Sequence, residues 1–305
     1  MPSNQNRTVA LIGLGSMGLG MAKSLLRAGH TVSGYDVSAA ALAALAAEGG
    51  HAAASPADAA TGASIVVVVV VNAAQTEAVL FGASGVVPTL SAGSVVISCA
   101  TMAPEAARAL AQRCSEHDVL YLDAPMSGGA ARAGTGELTF MASGTPQAFV
   151  AARPALEVMA GTIHELGDAA GVGSSFKIVN QLLAGVHIAA ACEAITFASK
   201  LGLDIAKVYE VITASAGNSW MFENRVPHIL EGDYAPKSAV NIFTKDLGIV
   251  SDIGRAETFP LPIAAAALQL FLMTAAAGMG RDDDSSVARM IAQITGTELP
   301  PVKDH

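Results

Sequence analysis

The sequence predicts an α/β protein in which a doubly wound parallel sheet is followed by an all-α domain. Short β-branched runs alternate with alanine-rich helical segments as far as about residue 168. The run "SIVVVVVV" (64–71) is apolar on both faces, as a central parallel strand covered by helices must be. Strand-like runs disappear after residue 168, so we expect one domain over 1–168 and a helical domain over 169–305.

The predicted strands of the first domain follow one another with helical segments between them. They lie at 8–14, 30–36, 64–71, 93–100, 119–125, 138–143 and 162–167. The first two helices are expected at 16–28 and 38–49, and Ser38 is a suitable N-cap for the second. This order indicates βαβ units and a parallel sheet.

The second domain is predicted from helical periodicity and composition. Its helices are expected at 174–201, 204–216, 237–257, 260–278 and 284–295. Two stretches, 182–198 and 261–280, are apolar enough to raise the question of a membrane span. His187, Glu193 and Gln269 interrupt them, and neither has flanking basic or aromatic anchors, so we expect buried core helices.

Composition excludes several classes of function. The chain has 305 residues, a formal net charge of −9 and no basic cluster, which disfavours nucleic acid and anionic membrane surfaces as partners. Cys99, Cys114 and Cys192 follow no paired or metal-ligand spacing, so we expect reduced thiols, a cytoplasmic protein and no metal site.

The start "MPSNQNR" leads into a strand and predicts no signal peptide. The apolar helical domain predicts self-association.

A glycine-rich motif, "GLGSMG", joins the first strand to the first helix. Gly13 would permit a tight turn, Gly15 would let the backbone approach a pyrophosphate, and Gly18 would let the helix pack closely on the strand. The strand before the motif and the helix after it favour a Rossmann-type dinucleotide site over a merely structural turn. The expected cofactor contacts are Gly13, Leu14, Gly15, Ser16, Met17 and Gly18.

Asp36 ends the second strand, at the spacing expected for a carboxylate that binds the adenosine ribose. It would repel a 2′-phosphate, so NAD is favoured over NADP. The alternative is that Asp36 only caps the next helix, although Ser38 is better placed for that role. Asn72 and Thr101 follow later strands, at the sheet edge where ligands bind, and are candidates for cofactor contacts or ordinary turn residues.

The stretch "GVGSSFKIVNQL" (171–182) places a lysine and two amides at the head of an apolar helix. Lys177, Asn180 and Gln181 share one helical face, which we expect to look into the cleft between the domains. A cation is unfavourable at a helix N-terminus, so the position of Lys177 needs a reason. Burial disfavours the charged amine, and a neutral lysine could accept a proton from a substrate hydroxyl. The alternative is a lysine that snorkels to water.

Two further stretches carry candidate site residues. In "DAPMSGGAARAGTGEL" (123–138), Ser127, Gly128 and Gly129 could present a hydroxyl and backbone N–H groups to an anion, or could form an ordinary loop. In "FTKDLG" (243–248), Lys245 is a further cation, or a solvated charge on a helix.

The motifs "GLGSMGLGMA", "DAPMSGG", "GVGSSFKIVNQ" and "KDLG" occur in an order and at spacings that resemble the β-hydroxyacid dehydrogenase family, over nearly the whole chain. The resemblance implies that Lys177 is the catalytic lysine and that Ser127, Gly128 and Gly129 bind the substrate carboxylate. It implies that Asn180 and Gln181 are the substrate amides, although several members carry Asn in place of Gln181. Lys245 would lie near the nicotinamide and the substrate.

The resemblance also implies an NAD-dependent hydroxyacid dehydrogenase. Its domain 1–168 would bind NAD, and its domain 169–305 would bind the substrate and form the dimer. The stretches "NQLLAGVHIAAACEA" and "SAGNSWMFENRVPHILEGDYAPKSAVNIFTKDLG" are similar to the branch that oxidises L-threonate, and Trp220 would line the pocket or pack in a core or subunit interface. Relatives form homodimers or homotetramers. Tartronate semialdehyde reductase, 3-hydroxyisobutyrate dehydrogenase and a non-catalytic dinucleotide-binding module are the alternatives.

Overall fold

The computed structural model describes residues 7–303. The chain forms two compact units, Met1–Lys177 and Ile178–His305. The boundary that the sequence predicts at residue 168, and the separate roles expected for the two domains, stay predictions.

The first unit is built on a six-stranded parallel sheet, which confirms the predicted fold class. The strand order is β3-β2-β1-β4-β5-β6. The strands are β1 (Thr8–Ile12), β2 (Thr31–Tyr35), β3 (His51–Ala52), β4 (Ile65–Val68), β5 (Val95–Ser98) and β6 (Leu120–Asp123). The order reverses between β1 and β4, which is where open α/β sheets of this type bind ligands.

Both faces of this sheet are buried, because its apolar residues alternate between two cores. On β1, Val9 and Leu11 pack into one hydrophobic cluster, while Ala10 and Ile12 pack into the other. All four residues of β4 are buried. The uninterrupted valine run therefore serves two helical layers at once, as its sequence predicts.

The described part of the first unit contains seven α-helices before residue 172. The first five connect strands of the six-stranded sheet, and the last two connect strands of a second, smaller sheet. The seven helices are α1 (Ser16–Arg27), α2 (Ala39–Ala47), α3 (Pro56–Ala60), α4 (Ala73–Phe81), α5 (Pro104–Ser115), α6 (Gly129–Thr135) and α7 (Pro146–Met159). The predicted cap is present, since the Ser38 side chain accepts a hydrogen bond from the Ala41 amide.

The last two predicted strands do not extend the main sheet. A separate three-stranded sheet contains β7 (Met126–Ser127), β8 (Leu138–Ala142) and β9 (Ala160–Glu165). The strand β7 continues in the direction of β6 and runs antiparallel to β8, whereas β9 runs parallel to β8. An isolated antiparallel bridge between Asp123 and Ser143 ties the end of β6 to the end of β8.

The second unit is helical. The helix α8 (Val172–Lys200) runs into it, and α9 (Ile205–Thr213), α10 (Trp220–Glu231), α11 (Val240–Ala256), α12 (Pro262–Thr274) and α13 (Val287–Thr295) follow. The sequence prediction lacked α10, whose pattern is interrupted by Pro227. The core of this unit includes the rings of Phe243 and Phe271, stacked with centroids 5.2 Å apart.

Two helical segments of the described chain, Val172–Lys200 and Pro262–Met279, are long and apolar enough to cross a membrane by length and composition. Half of the most apolar window is buried inside the protein for the first, but only 28% for the second. The prediction of buried core helices is therefore wrong for most of α12. Its buried residues are Ala264, Ala267, Phe271 and Thr274, which follow one helical stripe.

Candidate active site

The glycine motif forms the turn between β1 and α1. Gly13 has a φ of +96°, and its amide donates a 2.9 Å hydrogen bond to the Tyr35 carbonyl. A Cβ on Gly13 would collide with the Val69 carbonyl, and one on Gly18 would collide with the Gly13 carbonyl. A Cβ on Gly15 would meet open space. Glycine is thus required at positions 13 and 18, because a side chain at either position would collide with the backbone. Gly15 leaves room for a ligand beside the start of α1.

Asp36 is tied to this turn. Its Oδ2 accepts a 2.6 Å hydrogen bond from the Leu14 amide, and its Oδ1 accepts a 2.8 Å bond from the Ser38 amide. The carboxylate therefore joins the end of β2 to the glycine loop, in addition to ordering the approach to α2. A carboxylate has about four acceptor positions, so it can also accept from ribose hydroxyls. The glycine cradle and this carboxylate together fit the adenosine half of NAD.

Asn72 and Thr101 follow β4 and β5, whose carboxyl ends lie at the same edge of the sheet. The Asn72 side chain accepts a 2.8 Å hydrogen bond from the Gln75 amide and so caps α4. The structure thus shows the turn role that the sequence offered as the alternative for Asn72. A cofactor contact from Asn72 or from the half-buried Thr101 stays a prediction.

Lys177 lies near the start of α8 and is buried, with 8% of its surface exposed. Its Nζ donates a 2.8 Å hydrogen bond to the Met126 carbonyl, directly before Ser127. The alternative of a lysine that snorkels to water is therefore wrong. The amine is held beside the strand that leads into the predicted carboxylate loop.

The loop that begins at Ser127 depends on two successive glycines. Gly128 has a φ of +138° and Gly129 a φ of +76°. Ser127 is paired with Thr139 of β8, which fixes where the loop starts. A side chain is rarely tolerated at such φ values, so the turn after Ser127 depends on these glycines, and an anion contact from this loop stays a prediction.

The second unit contains a chain of four polar residues, three of which the sequence analysis proposed. Asn180 Nδ2 donates to Gln181 Oε1 at 2.9 Å, and Gln181 Nε2 donates to Asp246 Oδ2 at 2.5 Å. The other Asp246 oxygen forms a 2.5 Å ion pair with Lys245 Nζ. Both ends of the Gln181 amide are thus engaged within the protein, so Gln181 orients Asn180.

Asp246 was missed by the sequence analysis, although it stands in the quoted "KDLG" motif. It is buried, with 1% of its surface exposed, and holds Lys245 and Gln181 together. A carboxylate is rarely buried unless it is paired with a cation or hydrogen-bond donor. The acid directly after the candidate Lys245 could therefore have identified Asp246 as a site residue from the sequence.

Asp123 is the other residue that the sequence analysis missed. It is buried at the end of β6, and burial raises the pKa of its carboxyl even though hydrogen bonds from Ser174, Gly171 and Ser143 oppose that rise. The sequence could have pointed to Asp123, because it is an acid at the carboxyl end of a buried strand, where ligands bind in such sheets.

Trp220 begins α10, and 48% of its surface is exposed. Core packing, one of the alternatives for this side chain, is therefore wrong for the single chain. A place in the substrate pocket or in a subunit interface stays a prediction.

Comparison with known proteins agrees with this architecture. Residues 8–167 match a family model described as the NAD binding domain of 6-phosphogluconate dehydrogenase. Residues 171–291 match a family model described as "NAD-binding of NADP-dependent 3-hydroxyisobutyrate dehydrogenase".

Individual relatives are similar along nearly their full length. An L-threonate dehydrogenase of Cupriavidus necator is 52% identical, over 97% of this chain and 98% of the relative. An L-threonate dehydrogenase of Haemophilus influenzae is 48% identical, over 97% of this chain and 98% of the relative. A crystal structure described as 3-hydroxyisobutyrate dehydrogenase from Salmonella typhimurium has a TM-score of 0.90 and 46% identity, over 93% of this chain and all of that one.

The cofactor cradle, the buried lysine and these full-length similarities have one explanation. The chain binds NAD and oxidises a small hydroxy acid, and it belongs to the β-hydroxyacid dehydrogenase family.

Proposed function

We propose that this dehydrogenase oxidises the 2-hydroxyl of L-threonate to give 2-dehydro-L-erythronate, with Lys177 as the proton acceptor. The observation that carries the proposal is the buried Lys177 amine, which is bonded to the Met126 carbonyl next to the Ser127–Gly129 loop. The choice of L-threonate rests on the relatives of Cupriavidus necator and Haemophilus influenzae, which are L-threonate dehydrogenases.

The proposed roles follow from the chemistry of the groups. Ser127, Gly128 and Gly129 hold the substrate carboxylate through a hydroxyl and backbone N–H groups. Neutral Lys177 has two N–H bonds and one lone pair. The Met126 carbonyl takes one N–H, which aims the lone pair, and the lone pair accepts the hydroxyl proton as the carbon becomes a ketone.

NAD, when bound, supplies the acceptor for the hydride that leaves the substrate carbon. The residues proposed to hold it are the glycine loop from Gly13 to Gly18, with Asp36 on the ribose and Asn72, Thr101 and Lys245 as further contacts. Asn180, oriented by Gln181, is proposed to contact the substrate hydroxyls, and Trp220 to line the pocket. A positioned base of this kind contributes ~10²–10⁴-fold to the rate.

The experiment that tests the substrate is NADH formation across a panel of hydroxy acids. We expect the highest kcat/KM with L-threonate, at least about tenfold above 3-hydroxyisobutyrate and L-serine, because a pocket that hydrogen-bonds extra hydroxyls rejects acids that lack them. A higher value with 3-hydroxyisobutyrate would favour the activity named for the Salmonella relative. Faster reduction of tartronate semialdehyde would favour a reductase, and NAD binding without any turnover would favour a non-catalytic module.

We further propose a cytoplasmic homodimer or homotetramer with no nucleic acid or membrane partner. The net charge of −9 supports the absence of nucleic acid. One side of α8 carries exposed large apolar side chains at helical spacing, which supports contact with a second copy. They are Phe176, Val179, Leu183 and Phe197, with Leu201 directly after the helix.

A further inference from the structure

Asp123 bonds to the first turn of the helix that carries Lys177. Its Oδ2 accepts hydrogen bonds from the Gly171 amide at 2.9 Å and the Ser174 amide at 2.8 Å. Its Oδ1 accepts a 2.8 Å bond from the Ser174 hydroxyl. Only 1% of the Asp123 surface is exposed, so water does not compete for these bonds.

This arrangement replaces the usual helix cap. The first N–H groups of a helix have no partner within it, and a residue just before the helix normally accepts from them. Here the acceptor is a carboxylate 48 and 51 residues earlier in the chain, at the end of β6. Its negative charge also lies at the positive end of the helix dipole, where it is favourable.

The short strand β7, which follows Asp123 closely, holds the lysine itself. Met126 follows Asp123 by three residues, and its carbonyl accepts the bond from Lys177 Nζ. Lys177 in turn follows Ser174 by three residues on α8. Two hydrogen-bonded anchors, one on the helix backbone and one on the amine, therefore join the segment 123–126 to the segment 174–177.

Backbone hydrogen bonds to Ser143 hold Asp123 in place. The Asp123 amide donates to the Ser143 carbonyl at 3.0 Å, and the Ser143 amide donates back to the Asp123 carbonyl at 2.8 Å. The Ser143 hydroxyl accepts a 2.8 Å bond from the Gly173 amide. The backbone of β6 and β8 thus fixes Asp123 independently of its carboxylate.

We propose that Asp123 is a positioning residue for the reaction, and that its carboxylate sets where the Lys177 amine lies relative to the Ser127–Gly129 loop. This inference rests on the proposed role of Lys177. Without the carboxylate, the first turn of α8 loses three hydrogen bonds and the amine loses its fixed approach to Met126. A misplacement of about 1 Å in an active site can lower a rate ~10²-fold.

The test is a double-mutant cycle with Asp123→Ala in the wild-type and Lys177→Ala backgrounds. With Lys177 present, we expect Asp123→Ala to lower kcat roughly 10- to 100-fold while the Kd for NAD changes less than about twofold. In the Lys177→Ala background we expect Asp123→Ala to change kcat by less than about twofold, because no amine remains to be positioned. Tyr121→Phe, which removes a buried hydroxyl from the same strand, is the control and should leave kcat unchanged.

The outcomes separate the two proposals. Near-normal turnover of Lys177→Ala would overturn the proposed function itself. A large loss with Lys177→Ala, together with an equal further loss from Asp123→Ala in both backgrounds, would overturn only the positioning role. So would an unchanged kcat in Asp123→Ala, or a similar loss in Tyr121→Phe. If Asp123→Ala does not fold, Ser174→Ala removes the bond to Oδ1 and completes the same cycle, with a smaller loss expected only when Lys177 is present.

Discussion

Leu14 and Asp36 are joined by a 2.6 Å hydrogen bond from the Leu14 amide to Asp36 Oδ2, which connects the glycine loop to the end of β2. Asp36→Ala removes this tether and the expected ribose acceptor. We expect kcat/KM for NAD to fall about 10- to 100-fold, since hydrogen bonds to a charged group contribute about 1.5–3 kcal/mol. The value for NADP should fall less or rise, because a 2′-phosphate is no longer repelled.

Parallel kinetics with NAD and NADP measure this preference. Ser38→Ala is the control, because it removes a helix cap and leaves the carboxylate in place. An unchanged ratio of NAD to NADP efficiency in Asp36→Ala would count against the ribose assignment.

Lys177→Ala should lower kcat by ~10²–10⁴-fold, the usual contribution of a general base. Lys177→Arg should be nearly as slow, because arginine keeps the charge but does not give up its proton. Both variants should still bind NAD in a fluorescence titration. Lys200→Ala, at the other end of α8, is the matched control and should be close to wild type. Substantial activity in Lys177→Ala would remove the basis for the proposed mechanism.

Asp246→Asn should weaken both activity and stability. Its amide cannot accept from Lys245 and Gln181 at once, so one buried polar group loses its partner. We expect the free energy of unfolding to fall by about 1–3 kcal/mol and kcat/KM to fall with it. Urea unfolding and steady-state kinetics measure the two effects. Asp252→Asn, on the exposed side of the same helix, should change neither, and equal effects of the two variants would refute a specific role for the network.

Asp283 makes stability depend on pH. Burial tends to raise the pKa of its carboxyl, but hydrogen bonds from His228 and Ser285 outweigh that effect and hold the pKa at about 2, against 3.8 when unpaired. His228 Nδ1 lies 2.9 Å from Asp283 Oδ1, and Lys237 Nζ lies 2.9 Å from His228 Nε2. The His228 ring thus lies between the Asp283 carboxylate and the Lys237 amine.

Because the folded-state pKa is lowered, Asp283 stabilises the fold above pH 4, and this contribution is lost as pH falls toward 2. Asp283→Asn should therefore lower the free energy of unfolding by about 2 kcal/mol at pH 7, and by progressively less below pH 4. Urea unfolding between pH 7 and pH 3 measures the difference from wild type. A difference that stays constant over this range would contradict the assignment.

The exposed apolar side of α8 predicts an effect on association. Phe197 is 62% exposed in the single chain. Phe197→Glu should shift the protein toward monomers in light scattering after gel filtration, since a charge cannot be buried without a partner. Phe259→Glu, at an exposed aromatic in the connection between α11 and α12, should leave the mass unchanged. An unchanged mass in Phe197→Glu would contradict self-association through this surface.

The sequence was most informative where local pattern and tertiary role agree. The valine run of β4 could be predicted because a strand covered by helices on both faces must be apolar on both. The glycine turn after β1 could be predicted because the tight turn from strand to helix requires glycine. The second sheet could not be separated from the first, because the local pattern of a short strand does not show which other strands it pairs with. The pairing of Gln181 with Asp246 spans 65 residues, and no local spacing signals such a contact.

The paired glycines of the Ser127–Gly129 loop limit how this enzyme can diverge. Side chains are rarely tolerated at φ values of +138° and +76°, so the loop can offer an anion little besides its main chain and one hydroxyl. A carboxylate is common to every hydroxy acid, and main-chain recognition cannot distinguish one acid from another. Under the proposed role of this loop, selection or engineering for a new substrate must therefore act on side chains elsewhere, such as Asn180 and Trp220, which are proposed to contact the substrate.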